Sequence, residues 1–444
     1  MMSLPQLGST RLSPDTGLGA LLKTGPYVAV SAVVVLLGFF RELVIAGEFG
    51  LGRSLDVYVA VLSIHALLGV QLGVVLEQVY LARASEQPGS AASVRTGLQL
   101  SSFALLANLL GALVLQLGGA ELIGWIFSGF DSQQIALAVD LLPLLLAASL
   151  VTALFGLVRA VLATHGRFLL GLAGGGIASL AVLGVVWVRS PETTVAELAT
   201  SLLVGWTLAL AMAVVISRQL QLERPAAALI SGVGSLAGAV GWLFVGELLV
   251  QTSFVWVRSL ASTLAPGAMS AWFVAYALIT VFAAVLVLPV STLLQPRIVR
   301  LSGAAPRDAR QLVLRTGAAL SLLGFAVMLL WIWLAEPVLE LLFRFGRVGP
   351  EGIAVISEVL LVLVWTLPVV GLTRLLRNAL QALQDFRSPV LAPVLQLLIL
   401  ALFGGSVIAA EGLAGLAALF VLGQWATSGL LLWIWHRRLS ERRA

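Results

Sequence analysis

The chain has 444 residues, of which 60% are hydrophobic and only 11% charged, with a mean hydropathy of +1.05. Soluble domains run about 25% charged, so the composition excludes a soluble protein and points to a polytopic α-helical membrane protein. The net charge of +5 and pI near 10.3 do not signal nucleic-acid binding, because the basic residues fall where membrane topology puts them. The absence of cysteine excludes disulfides and thiolate-bound metals. His65, His165 and His436 are far apart in sequence, so neither a metal nor a cofactor is expected.

In chain order, residues 1–26 carry Arg11 and Lys23 but no apolar core followed by a cleavage site. They read as a flexible cytoplasmic tail rather than a signal peptide. Charged, Gly- or Pro-containing breaks then separate twelve apolar runs, each near the roughly 20 residues that span a bilayer. The first six cover about 27–47, 57–82, 94–117, 134–163, 168–188 and 196–217. The second six cover about 227–262, 269–296, 311–334, 352–383, 388–409 and 413–435. The seventh is too long for one straight crossing, which predicts a tilt, a kink or an interfacial turn. The expected organisation is the tail, an N-lobe over 27–222, a C-lobe over 223–436 and a basic cytoplasmic tail over 437–444.

Orientation follows from the positive-inside rule. With the N-terminus inside, 17 of the 26 Lys and Arg residues fall in cytoplasmic segments, and only Arg53, Arg189, Arg344 and Arg347 fall outside. Twelve crossings return the C-terminus to the cytoplasm, in agreement with the tail HRRLSERRA. Trp125, Trp187, Trp331 and Trp333 are expected at the outer interface, and Trp433 and Trp435 at the inner one.

The chain also repeats. LGRSLDVYVAVLSI (51–64) aligns with PGAMSAWFVAYALI (266–279), and RAVLATHGRF (159–168) with NALQALQDFR (378–387). Both pairs are offset by close to half the chain. Two parallel six-helix repeats imply a transporter whose substrate site lies between the halves.

Three segments occur in a telling order: GFFRELVIAGEFGLGRSLDVYVAV (38–61), LLFRFGRVGPEGI (341–353) and RNALQALQDFRSP (377–389). They resemble the G-F-x-R-D…G-x-x-x-x-x-D-A-F-x-x-A, L-L-F-x-R-G-x-F and Y-A-x-x-D-x-x-x-P segments of the MurJ (MviN) branch of the multidrug/oligosaccharidyl-lipid/polysaccharide exporter superfamily. The resemblance implies a V-shaped bundle of two lobes, alternating access, and export of a lipid-linked saccharide across the bacterial inner membrane. The chain also departs from that branch. Val35 stands where an arginine is expected six residues before Arg41, and ALLGVQLGV (66–74) replaces a basic stretch of the second helix. Ala275, Tyr276, Ala277 and Leu278 replace A-D-R-L, and two further C-terminal helices are missing. Twelve helices with fewer cavity cations look more like a polysaccharide-unit flippase on a MurJ-like chain.

An ionised side chain inside a bilayer costs roughly 2.5–3.5 kcal/mol on insertion scales, so each one asks for a reason. Arg41 and Glu42 sit in the outer part of the first span. Snorkelling with local pairing is one account; a place on the cavity wall is the other, and Arg41 coincides with the motif arginine. Glu247, Gln251 and Arg258 share one face of the seventh helix, as a cavity wall or as an internal ion pair. Arg374, Arg377, Asn378 and Gln381 form a stripe on the tenth helix. They serve either as an entry-side headgroup contact or as snorkelling cytoplasmic cations. Arg159 occupies the repeat-related place in the fourth helix. Asp56 matches the family's aspartate but is equally a good N-cap. Glu77, Asp140 and Glu358 are isolated acids; Asp140 precedes Pro143, and with Glu247 it is the candidate for ion coupling. The glycines of GLAGGG (171–176) read as close helix packing.

No nucleophile–base pair, metal set or nucleotide site is present, so no enzyme is expected. The leading reading is a flippase for an undecaprenyl-diphosphate-linked oligosaccharide that feeds exopolysaccharide or cell-wall assembly. Its candidate substrate-binding residues are Arg41, Glu42, Asp56, Glu247, Gln251, Arg258, Arg159, Arg374, Arg377 and Asn378. Its expected partners are membrane lipids, a polysaccharide polymerase and glycosyltransferases. The alternatives are a lipid II flippase, a cation-coupled multidrug antiporter of the same superfamily, and a non-transporting scaffold in polysaccharide assembly. The sign of the cavity separates the first two from the antiporter, and five intramembrane arginines face five acids.

Overall fold

The computed structural model describes residues 18–84, 87–220, 222–223, 233–287, 290–291, 294, 297–298, 301, 305–344, 346–383, 385 and 387–441. Residues 1–17 of the expected tail, Arg224, Arg300, Ser302 and the end of the basic tail lie outside the described residues.

Six helices form the first half: α1 (Leu18–Phe49), α2 (Arg53–Ala84), α3 (Ala91–Ile126), α4 (Ser132–Thr164), α5 (Phe168–Arg189) and α6 (Val195–Ser217). The second half opens with α7 (Val233–Ala261), α8 (Ala268–Val287), α9 (Pro306–Phe343) and α10 (Pro350–Ala382). The last helical stretch, Leu391–Glu441, has 51 residues. As one rod it would be roughly 75 Å long, more than twice the hydrocarbon core of a bilayer. It breaks at Gly412, whose φ of 62° and ψ of −143° are not helical. Residues 391–411 are therefore α11 and 413–441 are α12. Among the described residues eleven apolar stretches are long enough to cross a membrane, and the break at Gly412 makes the passes match the twelve predicted runs. Several helices overrun the predicted bounds. α1 begins at Leu18, because LGALLK continues the apolar pattern into the segment expected to be tail, and α3 and α9 run on to Ile126 and Phe343.

The repeat is visible in local backbone. A π-helical turn interrupts α2 at Ala66–Gln71 and α8 at Ala283–Val287, at nearly the same offset as the sequence repeat. The second aligned pair shares a turn. Arg167 N–H donates to Leu162 carbonyl at 2.8 Å, and Asp385 N–H donates to Leu380 carbonyl at 3.0 Å, the same bond to the fifth residue back.

The chain divides into two compact units: Met1–Arg41, Ile64–Gly119 and Asp140–Glu247 in the first, and Glu42–Ser63, Ala120–Val139 and Leu248–Ala444 in the second. The first unit is centred on Leu72, Val75, Leu76, Tyr80, Leu100 and Leu157. The α5–α6 pair packs through small residues, with Gly205 against Ala178, and on the α4 side a Cβ on Gly174 would collide with the Phe155 ring. Gly171 likewise leaves room for the stem of Arg159, so the GLAGGG stretch serves close packing as expected.

In the second unit, α8 packs on the first part of α10, and α9 on the second part of α10. Its core gathers Leu375, Leu376, Leu380, Leu431, Ile434 and Trp435. Trp435 is 3% exposed, which corrects its expected place in the interfacial belt. Trp433, Trp125, Trp187 and Trp333 are exposed, and the Arg437 guanidinium lies 5.7 Å from the Trp433 ring centre. Asp385, in the α10–α11 turn, accepts from Ser388 N–H at 3.0 Å and from Arg438 Nε at 2.9 Å. Burial pushes its carboxyl up, but the Ser388 and Arg438 bonds outweigh burial and hold it below the usual range.

The topology carries a prediction. Because the connection from Arg297 to Arg315 is expected in the cytoplasm, a Ser302→Cys variant should stay unlabelled by an impermeant thiol reagent added to intact cells. The chain has no cysteine of its own, so there is no background. Labelling from outside would invert the assignment.

Candidate functional site

Helix α7 delivers Arg258 in its last turn, where the helix dipole favours a cation. A buried guanidinium needs partners to offset its lost hydration. In the second unit these come from α2 and α8. An Arg258 Nη donates to the Ser63 hydroxyl and reaches the Val59 carbonyl at 3.4 Å. The guanidinium carbon sits 5.6 Å from the Phe273 ring centre. Glu42 and Tyr276 lie close enough to act on it electrostatically. One donor remains: Arg258 Nε is buried without a hydrogen-bond partner. The structure thus brings together Glu42 and Arg258, two of the residues singled out from the sequence. It adds Ser63, Phe273 and Tyr276, which carry no sequence signal as a group.

Asp56 turns out to serve another helix. Gly267 is the N-cap of α8, and a glycine has no side chain to cap with. Asp56 supplies the cap from α2. Its carboxylate accepts from Gly267 N–H at 2.6 Å, from Ser270 N–H at 2.8 Å and from the Ser270 hydroxyl. Gly267 has φ +93°, a region that favours glycine, and the Leu51 backbone stands 3.0 Å from where a Cβ would be. Asp56 is 5% exposed with both oxygens occupied, so it is a tie between helices rather than a cap for its own α2.

Further ties hold the same ends of the helices. Arg347 N–H donates to Gly47 carbonyl at 2.6 Å, Arg53 pairs with Asp131 at 2.9 Å, and the Ser259 hydroxyl donates to Ile126 carbonyl. All of these lie inside the second unit.

In the first unit Arg159 pairs with Glu77, so these two intramembrane charges answer each other, and Arg159 Nε is left without a hydrogen-bond partner. His65 meets the Ser149 hydroxyl at 3.3 Å beside the π turn of α2, and Arg41, half-buried, lies within electrostatic reach of His65.

The other candidates scatter. Gln251 is buried, and Glu247, Arg377 and Asn378 are half-buried. Asp140, Glu358 and Arg374 are exposed. Among the described residues no group of His, Cys, Asp or Glu could hold a metal ion.

Apolar helices of bilayer length, two of them interrupted by π turns, and charges held within spans mark a polytopic membrane transporter. A family model described as "Lipid II flippase MurJ" matches residues 46–443. The chain belongs to the MurJ family. No curated protein matches it. Among solved structures, a lipid II flippase MurJ in an inward closed conformation is similar with a TM-score of 0.77 and 16% identity, covering 92% of this chain and 87% of that one. An inward-facing multidrug-resistance MATE transporter of the MOP superfamily is similar with a TM-score of 0.79 and 12% identity, covering 92% and 98%. A MOP superfamily transporter from Pyrococcus furiosus, described as having a binding pocket of reverse polarity and a different function, is similar with a TM-score of 0.63 and 13% identity, covering 94% and 96%. These likenesses show the fold.

Proposed function

We propose that the protein is a flippase that carries an undecaprenyl-diphosphate-linked oligosaccharide across the bacterial inner membrane by alternating access. The observation that carries this reading is the Arg258 guanidinium, half-buried among α2, α7 and α8 with its buried Nε–H unspent. Guanidinium stays protonated and binds phosphate oxygens in pairs, so the spare donor suits a diphosphate passing through the bilayer. Arg41 on α1 is a second candidate contact for the headgroup. Glu42, near Arg258, balances the cation while the site is empty.

Alternating access needs contacts that form on one side and part on the other. The Asp56–Gly267 clamp suits that role, because it ties the start of α2 in the expected N-lobe to the start of α8 in the expected C-lobe. Glycosyltransferases would build the lipid-linked unit on the cytoplasmic side and a polymerase would take it on the other, with both termini in the cytoplasm.

The description of the matching family favours a second reading, lipid II itself. Val35, the ALLGVQLGV stretch of α2 and Ala277 weigh against it, since the cations expected there are missing. The expected result is that this protein fails to rescue a strain depleted of its only lipid II flippase, although it reaches the membrane. Full rescue would make lipid II the substrate.

A further inference from the structure

We propose that the second unit holds a separate pocket that takes the hydroxyl edge of a single sugar ring. This rests on the reading of the substrate as a lipid-linked saccharide. The pocket lies among α7, α10, α11 and α12, with a volume of about 100 Å³. At roughly 30 Å³ per water, that is room for about three waters, or a few hydroxyl groups.

Its chemistry is set by Gln396 on α11, which is 3% exposed. Gln396 Nε2 donates to the Phe420 carbonyl at 3.3 Å, while Oε1 has no hydrogen-bond partner. A buried acceptor left so costs about 1–3 kcal/mol, so the pocket is poised for a donor. Gly423 makes the arrangement possible, since a Cβ there would collide with the Gln396 amide.

Three lining hydroxyls add acceptors. Ser253 donates to Leu249 carbonyl at 3.2 Å, Thr373 to Val369 at 2.8 Å and Thr427 to Gln424 at 2.9 Å, and the Thr373 hydroxyl also meets that of Ser428. With those protons spent on their own helices, the oxygens have lone pairs to offer. Arg377 and the Gln424 amide bring donors, and Phe254 and Phe420, with ring centres 5.8 Å apart, bring an apolar wall.

Among the described residues no acid lines the pocket. A metal cation would share the wall with the Arg377 guanidinium. A phosphate would face the Gln396 carbonyl oxygen and hydroxyls that have already donated. Sugar hydroxyls both donate and accept, and a ring's C–H face suits the two phenylalanines, so a sugar answers every group present. The pocket uses Arg377 of the predicted stripe and leaves out Arg374, which is exposed.

The test is saturation-transfer NMR on the full-length protein in a sugar-free detergent, with methyl α-glucopyranoside and N-acetylglucosamine as probes. The expected result is transfer to the ring protons. Gln396→Leu and Gly423→Ala should each weaken binding about tenfold, as the loss of one hydrogen bond to a buried partner does. Gln424→Ala replaces either variant that fails to elute as the folded protein. Absence of transfer to both sugars overturns the proposal. So does a Gln396-dependent rise in thermal stability with sodium alone or with inorganic phosphate alone, which would make this an ion site. The probes carry no lipid, so a negative result leaves the transport reading standing. Intact sugar binding by a protein whose depletion changes no lipid-linked saccharide would fail that reading alone.

Discussion

Arg258→Ala is expected to abolish export of the lipid-linked saccharide while the protein still reaches the membrane in normal amount. Truncating one partner of a buried, hydrogen-bonded charge contact costs about 2–5 kcal/mol, so headgroup affinity should fall about thirtyfold or more. Arg41→Ala should behave alike, since Arg41 is the other intramembrane guanidinium expected to meet the headgroup. Lysine at either position keeps the charge but loses the planar fork, so it should rescue only partly. Arg374→Gln, at an exposed position on α10, should be milder. Measuring export in cells against membrane abundance separates these outcomes. Normal export by both alanine variants would make the two arginines structural.

The second large effect is expected at Asp56. Its removal orphans the Gly267 and Ser270 amides and the Ser270 hydroxyl, at a cost of about 3 kcal/mol for the clamped state. That corresponds to a shift of roughly a hundredfold between two conformations. The direction follows from topology: Asp56 lies at the expected outer end of α2, so Asp56→Ala favours an outward-open form. Val57→Cys provides the readout, since Val57 is fully buried. An impermeant thiol reagent should label Val57→Cys from outside much faster when Asp56 is alanine. Asp56→Asn, which keeps one acceptor oxygen, should fall between. Unchanged labelling would mean that the clamp is a static tie.

The two predictions show what sequence reading could and could not reach. The twelve passes were legible because each is an apolar run of bilayer length, and because Gly412 and the Pro-containing breaks punctuate them. The half-chain repeat was legible too, and the paired π turns and the shared turn at Leu162 and Leu380 give it a backbone form. Arg258 and Glu42 stood out because charge inside a bilayer is costly. Their partners did not. Ser63 and Val59 are ordinary residues of an apolar helix, and only the long-range packing of α2 on α7 gives them a guanidinium to hold. Asp56 misled for the same reason: an aspartate in a first helical turn signals a cap, but nothing local says that it caps α8. Glu77 and Arg159 were each read alone, although their pairing removes two charges from the unexplained set. The Gln396 pocket left no trace in the sequence, because it depends on a missing Cβ at Gly423, contributed by a different helix.

The most direct measurement of the central claim is the lipid-linked saccharide that builds up on the cytoplasmic leaflet when the protein is depleted. The account predicts an undecaprenyl-diphosphate-linked oligosaccharide, with lipid II at its normal level and exported polysaccharide reduced. Accumulation of lipid II instead, or no change in any lipid-linked saccharide, would contradict it.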